Sequence, residues 1–128
     1  MERELDKSTY LLQEDENVGA VQIADDVVEM IAALAATEIE GVSAMSGNIT
    51  HELMSKVGVK NLSKGVKAEI IGKTVVVELA IIVEYGYNIP AICQKVQAKV
   101  KTAIENMTGL DVTEVNIRIA GVNMQNNQ

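Results

Sequence analysis

Two side chains in this sequence belong by type to the groups that carry catalysis or bind metals. His51 is the single histidine and Cys93 the single cysteine. A histidine-activated nucleophile needs a third, orienting group, and a zinc site needs several such ligands. No motif surrounds His51, so we interpret it as a surface or capping residue. Cys93 falls on the apolar stripe of a predicted helix, which favours a buried hydrophobe, although a thiol near a helix N-terminus leaves a redox role open.

Carboxylates are the next candidates, because positioned acids serve in proton transfer. The pairs Asp25/Asp26 and Glu38/Glu40 are explained by helix capping and solvation. Glu84, at the end of a predicted strand, is the strongest remaining candidate, but no base or metal ligand accompanies it. Nine glycines form neither a Walker loop nor a G-x-G-x-x-G motif. We therefore predict that the protein is not an enzyme and has no catalytic, cofactor-binding or metal-binding residues.

Charge and composition restrict the partners. The chain of 128 residues has a net charge of −7 and contains no Phe or Trp. Nucleic-acid binding depends on Lys and Arg and often on aromatic platforms, so the sequence argues against it. No window approaches the ~18 consecutive apolar residues of a membrane span, and the charged start lacks a signal peptide. We expect a cytoplasmic protein with no direct membrane insertion and, with a single cysteine, no internal disulfide.

The N-terminal half predicts an acidic tail followed by a strand and a helix. Residues 1–17 are expected to be a poorly ordered tail, and residues 18–23 a short strand. Asp25 and Asp26 are expected to cap a helix that ends at Gly41. A brief strand is predicted over residues 42–45. Residues 47–65, with a short amphipathic helix at residues 49–57, are expected to be variable and to carry partner-specific surface.

A β-hairpin follows, with Gly72-Lys73 as its two-residue turn. Its second strand places an alternating apolar row on the core side, comprising Val75, Val77, Leu79, Ile81 and Val83. The opposite face of this strand is half apolar, through Val76, Ala80 and Ile82. Two interpretations remain open for it: either another part of the chain covers this face, or the face is a surface for association.

The last elements are a helix and a strand. Asn88 and Pro90 are typical of a helix start, and Gly109 of a helix end. The predicted core stripe of this helix comprises Ile92, Cys93, Val96, Val100, Ala103, Ile104 and Met107. Alternation then predicts a strand through residues 115–120. The fold class expected is α+β, a two-layer sandwich with two long helices on a three- to four-stranded mixed sheet. It forms one domain over residues 18–122, followed by a polar tail.

Several segments, in this order and spacing, resemble the bacterial alkaline shock protein family, the Gls-type general stress proteins. They include Ile23-Ala24-Asp25-Asp26, Glu38-Ile39-Glu40-Gly41-Val42, Val83-Glu84-Tyr85-Gly86, Asn88-Ile89-Pro90, Met107-Thr108-Gly109-Leu110 and Glu114-Val115-Asn116-Ile117. The resemblance extends from about Gly19 to Val122. Asp25-Asp26 stands where the family often has Pro-Glu. The short C-terminus is similar to that of the short, constitutive members, which weakens a transfer of the stress role.

The resemblance implies a non-catalytic interaction or scaffold protein of Gram-positive bacteria, in cell-envelope stress or lipid homeostasis. Its implied partners are proteins: a small membrane-anchored relative, which would place it peripherally at the membrane, or acetyl-CoA carboxylase. The alternative function is therefore inhibition of that carboxylase and control of fatty-acid synthesis; nucleic-acid or small-ligand binding is the least favoured. A homo-oligomer is also open. The polar residues that packing leaves unexplained, and where we expect a partner to bind, are Glu84, Tyr85, Tyr87 and Asn88.

Overall fold

The computed structural model describes residues 9–15, 19–46 and 65–124. In these residues the order of elements is ββαβββαβ. The strands are β1 (Thr9–Asp15), β2 (Gly19–Ala24), β3 (Val42–Met45), β4 (Val66–Ile71), β5 (Thr74–Glu84) and β6 (Asp111–Asn123). The helices are α1 (Asp25–Thr37) and α2 (Ile89–Thr108).

Strand β5 is the centre of the main sheet. Strand β6 pairs with it in parallel along its whole length. Strands β3 and β4 both run antiparallel to β5, on different halves of it, so that they lie end to end. The junction is at Ala80, whose carbonyl accepts from the Ser46 N–H and whose N–H donates to the Gly65 carbonyl, both at 2.8 Å. Residues 47–64 thus connect two chain positions that meet on the sheet.

Both helices pack on one face of this sheet and enclose an aliphatic core. The alternation of β5 is the cause: its odd-numbered residues face the helices and are buried, as expected. The largest fully buried side chains are Met45, Ile70, Ile81, Ile104, Val28, Val75, Val77, Val83, Val96 and Val100. The predicted α+β sandwich with a mixed sheet is therefore confirmed.

The termini of α2 follow the sequence prediction, whereas those of α1 do not. Asn88 caps α2 by accepting from the Ala91 N–H at 2.9 Å, and Gly109 closes it in the left-handed region with φ +79°. The N-cap of α1 is Ala24, without a side-chain hydrogen bond, and Asp25 lies inside the first turn. The expected capping role of the aspartates is therefore wrong, although carboxylates in a first turn still oppose the helix dipole favourably. Helix α1 ends at Thr37, ahead of Gly41.

Two further expectations need correction. Thr9–Asp15, expected to belong to a disordered tail, form β1, which pairs antiparallel with β2 in a separate two-stranded sheet. Met107, expected on the core stripe, is 71% exposed. The physical reason is the turn at Gly109, which directs Leu110 into the core at this end, where it is buried. His51, residues 47–64 of the segment expected to be variable, with its predicted helix at 49–57, and residues 125–128 of the polar tail predicted over 123–128 lie outside the described residues.

Helix α2 also shields the outer edge of β6. The Gln97 amide donates to the Val115 carbonyl at 3.0 Å, and Lys101 donates to the Val112 carbonyl at 3.1 Å. Glu105 accepts from the Val112 N–H at 3.0 Å. Unpaired edge groups are templates for pairing with other chains, and charged side chains suppress that pairing. The first half of the β6 edge is therefore already occupied by side chains of the same protein.

Glu29 joins α1 to the outer edge of β4, where its Oε2 accepts from the Ala68 N–H at 3.0 Å. We expect Glu29→Ala to lower the free energy of unfolding by about 1–3 kcal/mol, because a partly buried donor loses its partner. Glu29→Gln is the matched control, since it retains an oxygen acceptor. Urea denaturation measures both, and equal stabilities of the two variants would contradict the role of this bond.

The stability of Glu29→Gln relative to wild type should depend on pH. Burial raises the pKa of Glu29, and Asp26 and Asp25 add to this, although the Ala68 N–H acts in the opposite direction. A carboxyl whose pKa is raised by folding opposes folding when ionised; the penalty is absent below the unfolded pKa and complete above the folded pKa. We therefore expect Glu29→Gln to gain stability relative to wild type as the pH rises from about 4 to about 7.

Candidate partner-binding site

The turn between β5 and α2 carries the four residues expected to bind a partner, and the structure places them at one end of the sandwich. The chain turns at Gly86, whose φ is +100°, a conformation that disfavours other residues. Asn88 then points its side chain at the first turn of α2. Its oxygen is used for capping, so Asn88 has a structural role in shaping the turn.

Tyr87 is held against the turn between α1 and β3. Its hydroxyl donates to Glu40 Oε2 at 3.1 Å. Its ring lies over Gly41, where an added Cβ would be 2.9 Å from Tyr87 Cδ2 and 2.7 Å from Ile92 Cδ1. The hydrogen bond to the Glu40 carboxylate raises the pKa of the Tyr87 phenol, and the charges of Glu40 and Glu84 add to this effect. Tyr87 is therefore a neutral, oriented side chain that is 40% exposed.

Tyr85 is the more exposed of the two tyrosines of this turn, with 71% of its surface accessible against 40% for Tyr87. Its backbone is anchored, because its N–H donates to the Asn123 carbonyl at 3.1 Å and thereby continues the pairing of β5 with β6. Met124 follows Asn123 and is 64% exposed. We call Glu40, Glu84, Tyr85, Tyr87 and Met124 the turn patch. A cluster of exposed apolar groups with a polar margin is typical of interaction sites.

The charge of the turn patch is negative. Glu40 and Glu84 are exposed, and neither has an ion-pair partner among the described residues. The nearby Lys99 ammonium is already engaged, at 3.2 Å from Glu38. Sequence reasoning identified Glu84, Tyr85 and Tyr87 but missed Glu40 and Met124. No local signal points to these two, because only the folded chain brings them beside the turn.

The second predicted surface is the face of β5 away from the helices. Val76 and Ile82 are half-buried there, and Ala80 is buried at 9% exposure. A shallow depression of about 440 Å³ on this face has a mixed lining, with the polar residues Lys67, Glu78, Asn116 and Arg118 beside apolar ones such as Val66 and Ala80. The use of this face for association stays a prediction.

The groups that suggested chemistry are dispersed. Cys93 is half-buried on α2, and burial raises the pKa of its thiol, which disfavours the reactive thiolate. Burial also raises the pKa of Asp25, together with the charges of Asp26 and Glu69. One Asp25 oxygen is buried and has no hydrogen-bond partner among the described residues. Over residues 19–46 and 65–124, no three His, Cys, Asp or Glu side chains converge as metal ligands would.

These observations define a small α+β domain with an exposed, acidic and aromatic turn. A sequence model of the alkaline shock protein family, described as having a cell envelope-related function, matches residues 13–124, and the chain belongs to this family. This confirms the resemblance found in the sequence. Neither of the two described helices is long and apolar enough to cross a membrane.

Three relatives illustrate the family. YqhY of Bacillus subtilis is 36% identical over 109 residues, which cover 85% of this chain and 81% of YqhY. YloU of the same organism is 33% identical, with 84% and 92% covered. A stress response regulator gls24 homolog of Streptococcus pyogenes is 31% identical over 81% of this chain, which spans only 59% of that longer protein. Solved variants of the MamM C-terminal domain align at a TM-score of 0.46 and 12% identity, too distant to bear on function.

Proposed function

We propose that this protein acts in cell-envelope homeostasis as a non-catalytic binding protein, and that its partner docks on the turn patch. Two things support the cellular role: the family is described as cell envelope-related, and a longer relative carries the name of a stress response regulator. The observation that carries the binding role is Tyr85, an exposed ring on a backbone anchored by β6. A rigid aromatic anchor contributes contact area at low entropic cost, and such residues dominate interface energies.

The partner is a protein, and two are candidates. One is a small membrane-anchored relative, which would hold the protein at the membrane periphery. The other is acetyl-CoA carboxylase, whose inhibition would connect the protein to lipid synthesis. Both come from the family resemblance, and the geometry of the turn patch favours neither over the other.

The proposal is tested by photocrosslinking from the turn patch in living cells. A photoreactive phenylalanine analogue replaces Tyr85, and the matched control carries it at Ile71, which is 60% exposed near the hairpin turn at the other end of β5. We expect a discrete adduct from position 85 only, and mass spectrometry of that adduct distinguishes carboxylase from a membrane protein. Identical adduct patterns from both positions, or none from position 85, would overturn the proposal.

The contribution of Tyr85 to the affinity of the complex can be measured with a substitution. We expect Tyr85→Ala to weaken the purified complex by about fivefold or more, since truncating an interface anchor costs more than about 1 kcal/mol. The fold should be unaffected, because the ring is exposed. Calorimetry of wild type and variant with the partner identified by crosslinking measures the effect, and unchanged affinity would exclude Tyr85 as an anchor.

A further inference from the structure

We propose that the turn patch recognises a basic, amphipathic segment of its partner, one that carries Lys or Arg beside apolar side chains. This inference rests on the proposed function and adds the chemistry of the occupant. The turn patch combines exposed apolar side chains with two carboxylates that form no ion pair with a described residue, so its complement must be both cationic and apolar.

The carboxylates are the first part of the argument. Glu40 uses Oε2 to accept from Tyr87, and Glu84 receives no side-chain hydrogen bond or ion pair from a described residue. The Glu84 N–H donates to the Gly41 carbonyl at 2.8 Å, which places the backbone of Glu84 beside the residue that follows Glu40. Two exposed like charges held close together repel, and an incoming cation relieves that repulsion. Lys99 pairs with Glu38 at 3.2 Å, and neither Glu40 nor Glu84 forms an ion pair with a described residue.

The apolar groups are the second part. Tyr85 and Met124 are the most exposed apolar residues of the turn patch, and Val122, which is 42% exposed, lies on β6 two residues before Met124. The face of a tyrosine ring attracts Lys and Arg, and a thioether adapts to irregular apolar surfaces. A basic amphipathic segment would therefore use both of its faces here, with its charges on Glu40 and Glu84 and its apolar side chains on Tyr85 and Met124.

The overall charge favours the same occupant over an anionic one. The chain carries a net charge of −7, which attracts a basic segment over a distance and repels anionic lipid surfaces and nucleic acid. Complementary charge raises association rates in a salt-dependent way, whereas apolar contact is less sensitive to salt. Binding at the turn patch should thus show both a salt-dependent and a salt-resistant part.

Two labelled synthetic peptides serve as probes, one built of Leu and Lys and a second with Glu in place of every Lys. Fluorescence anisotropy measures their affinity for the full chain. We expect the Leu/Lys peptide alone to bind, and its affinity to fall as salt rises from about 0.05 M to about 0.3 M.

The double variant Glu40→Gln/Glu84→Gln should bind the Leu/Lys peptide roughly tenfold more weakly than wild type does. The control, Glu78→Gln/Glu114→Gln, makes the same charge change at exposed positions on the open sheet face and should bind as wild type does.

Each outcome decides the inference. If both double variants lost the same affinity for the Leu/Lys peptide, binding would depend on net charge alone. If the two peptides bound wild type equally well, charge would play no part. Either result overturns the inference. The proposed function is tested separately from this inference, because its test is crosslinking from position 85 in cells. If that adduct persists in Glu40→Gln/Glu84→Gln but is lost on mutating Met124 to Ala, the turn patch binds a partner and the basic chemistry is wrong. If no adduct forms at all, the proposed function fails as well.

Discussion

Replacing Gly65 by alanine is expected to lower the free energy of unfolding by roughly 3 kcal/mol or more, a loss at the upper end of single substitutions. Gly65 has φ +88°, and a Cβ built there would lie 2.2 Å from the Ser46 carbonyl oxygen and 3.3 Å from that of Ala80. The atoms in the way are backbone, so no side chain can rotate to make room. The close approach is where β3 and β4 meet on β5, and separating them would break the hydrogen bonds of Ala80.

Gly72→Ala is the matched control for this prediction. Gly72 also has a positive φ, +63°, but a Cβ there meets nothing within 4 Å. It should therefore cost only the backbone penalty, about 1 kcal/mol. Urea denaturation of both variants measures the difference. If Gly65→Ala were no less stable than Gly72→Ala, the close packing of the two strand ends on Ala80 would be wrong.

Ile104→Ala is expected to lower the free energy of unfolding by about 2–5 kcal/mol, the range for large-to-small changes in a core. Ile104 lies on the inner face of α2 and is fully buried in the aliphatic core. Because the chain lacks Phe and Trp, this core is built from medium-sized branched side chains. Such packing leaves few large residues to relax into a cavity, so the lost contacts are not regained.

Met107→Ala tests the same helix one turn later. Met107 belongs to the same apolar stripe by sequence but is mostly exposed, so truncation should change stability by less than about 0.5 kcal/mol. Thermal or urea unfolding of the two variants compares them directly. Comparable losses in Met107→Ala and Ile104→Ala would show that the stripe is buried to the end of α2 and that Leu110 does not replace Met107 in the core.

Much of the fold is predictable from local patterns. The alternation of β5 requires one buried face because side chains of a strand point to opposite sides in turn. Asn88, Pro90 and Gly109 mark the ends of α2 because each satisfies or avoids a backbone requirement of a helix terminus. These signals act over a few residues and hold whatever packs nearby. The hairpin turn at Gly72 is of the same kind.

The incorrect expectations concern places where tertiary contacts override a local pattern. Periodicity placed Met107 in the core, but the reversal at Gly109 fills that end with Leu110. Composition suggested a tail for Thr9–Asp15, but the N-terminal acidic content carries no information on pairing with β2. Capping was assigned to Asp25 because aspartate favours that position, whereas the chain enters α1 one residue earlier.

In the candidate site, too, some features can be predicted from local sequence and others depend on tertiary contacts. The turn that carries Glu84, Tyr85 and Tyr87 between a buried strand and a capped helix can be predicted from local sequence, and so can the family. The bond between Glu40 and Tyr87, and the position of Met124 next to Asn123, whose carbonyl accepts from the Tyr85 N–H, are visible only in the folded chain. The reason is that these neighbours are about 40 or more residues apart along the chain, where no periodic pattern connects them. Their proximity follows from the pairing of β5 with β3 on one side and with β6 on the other.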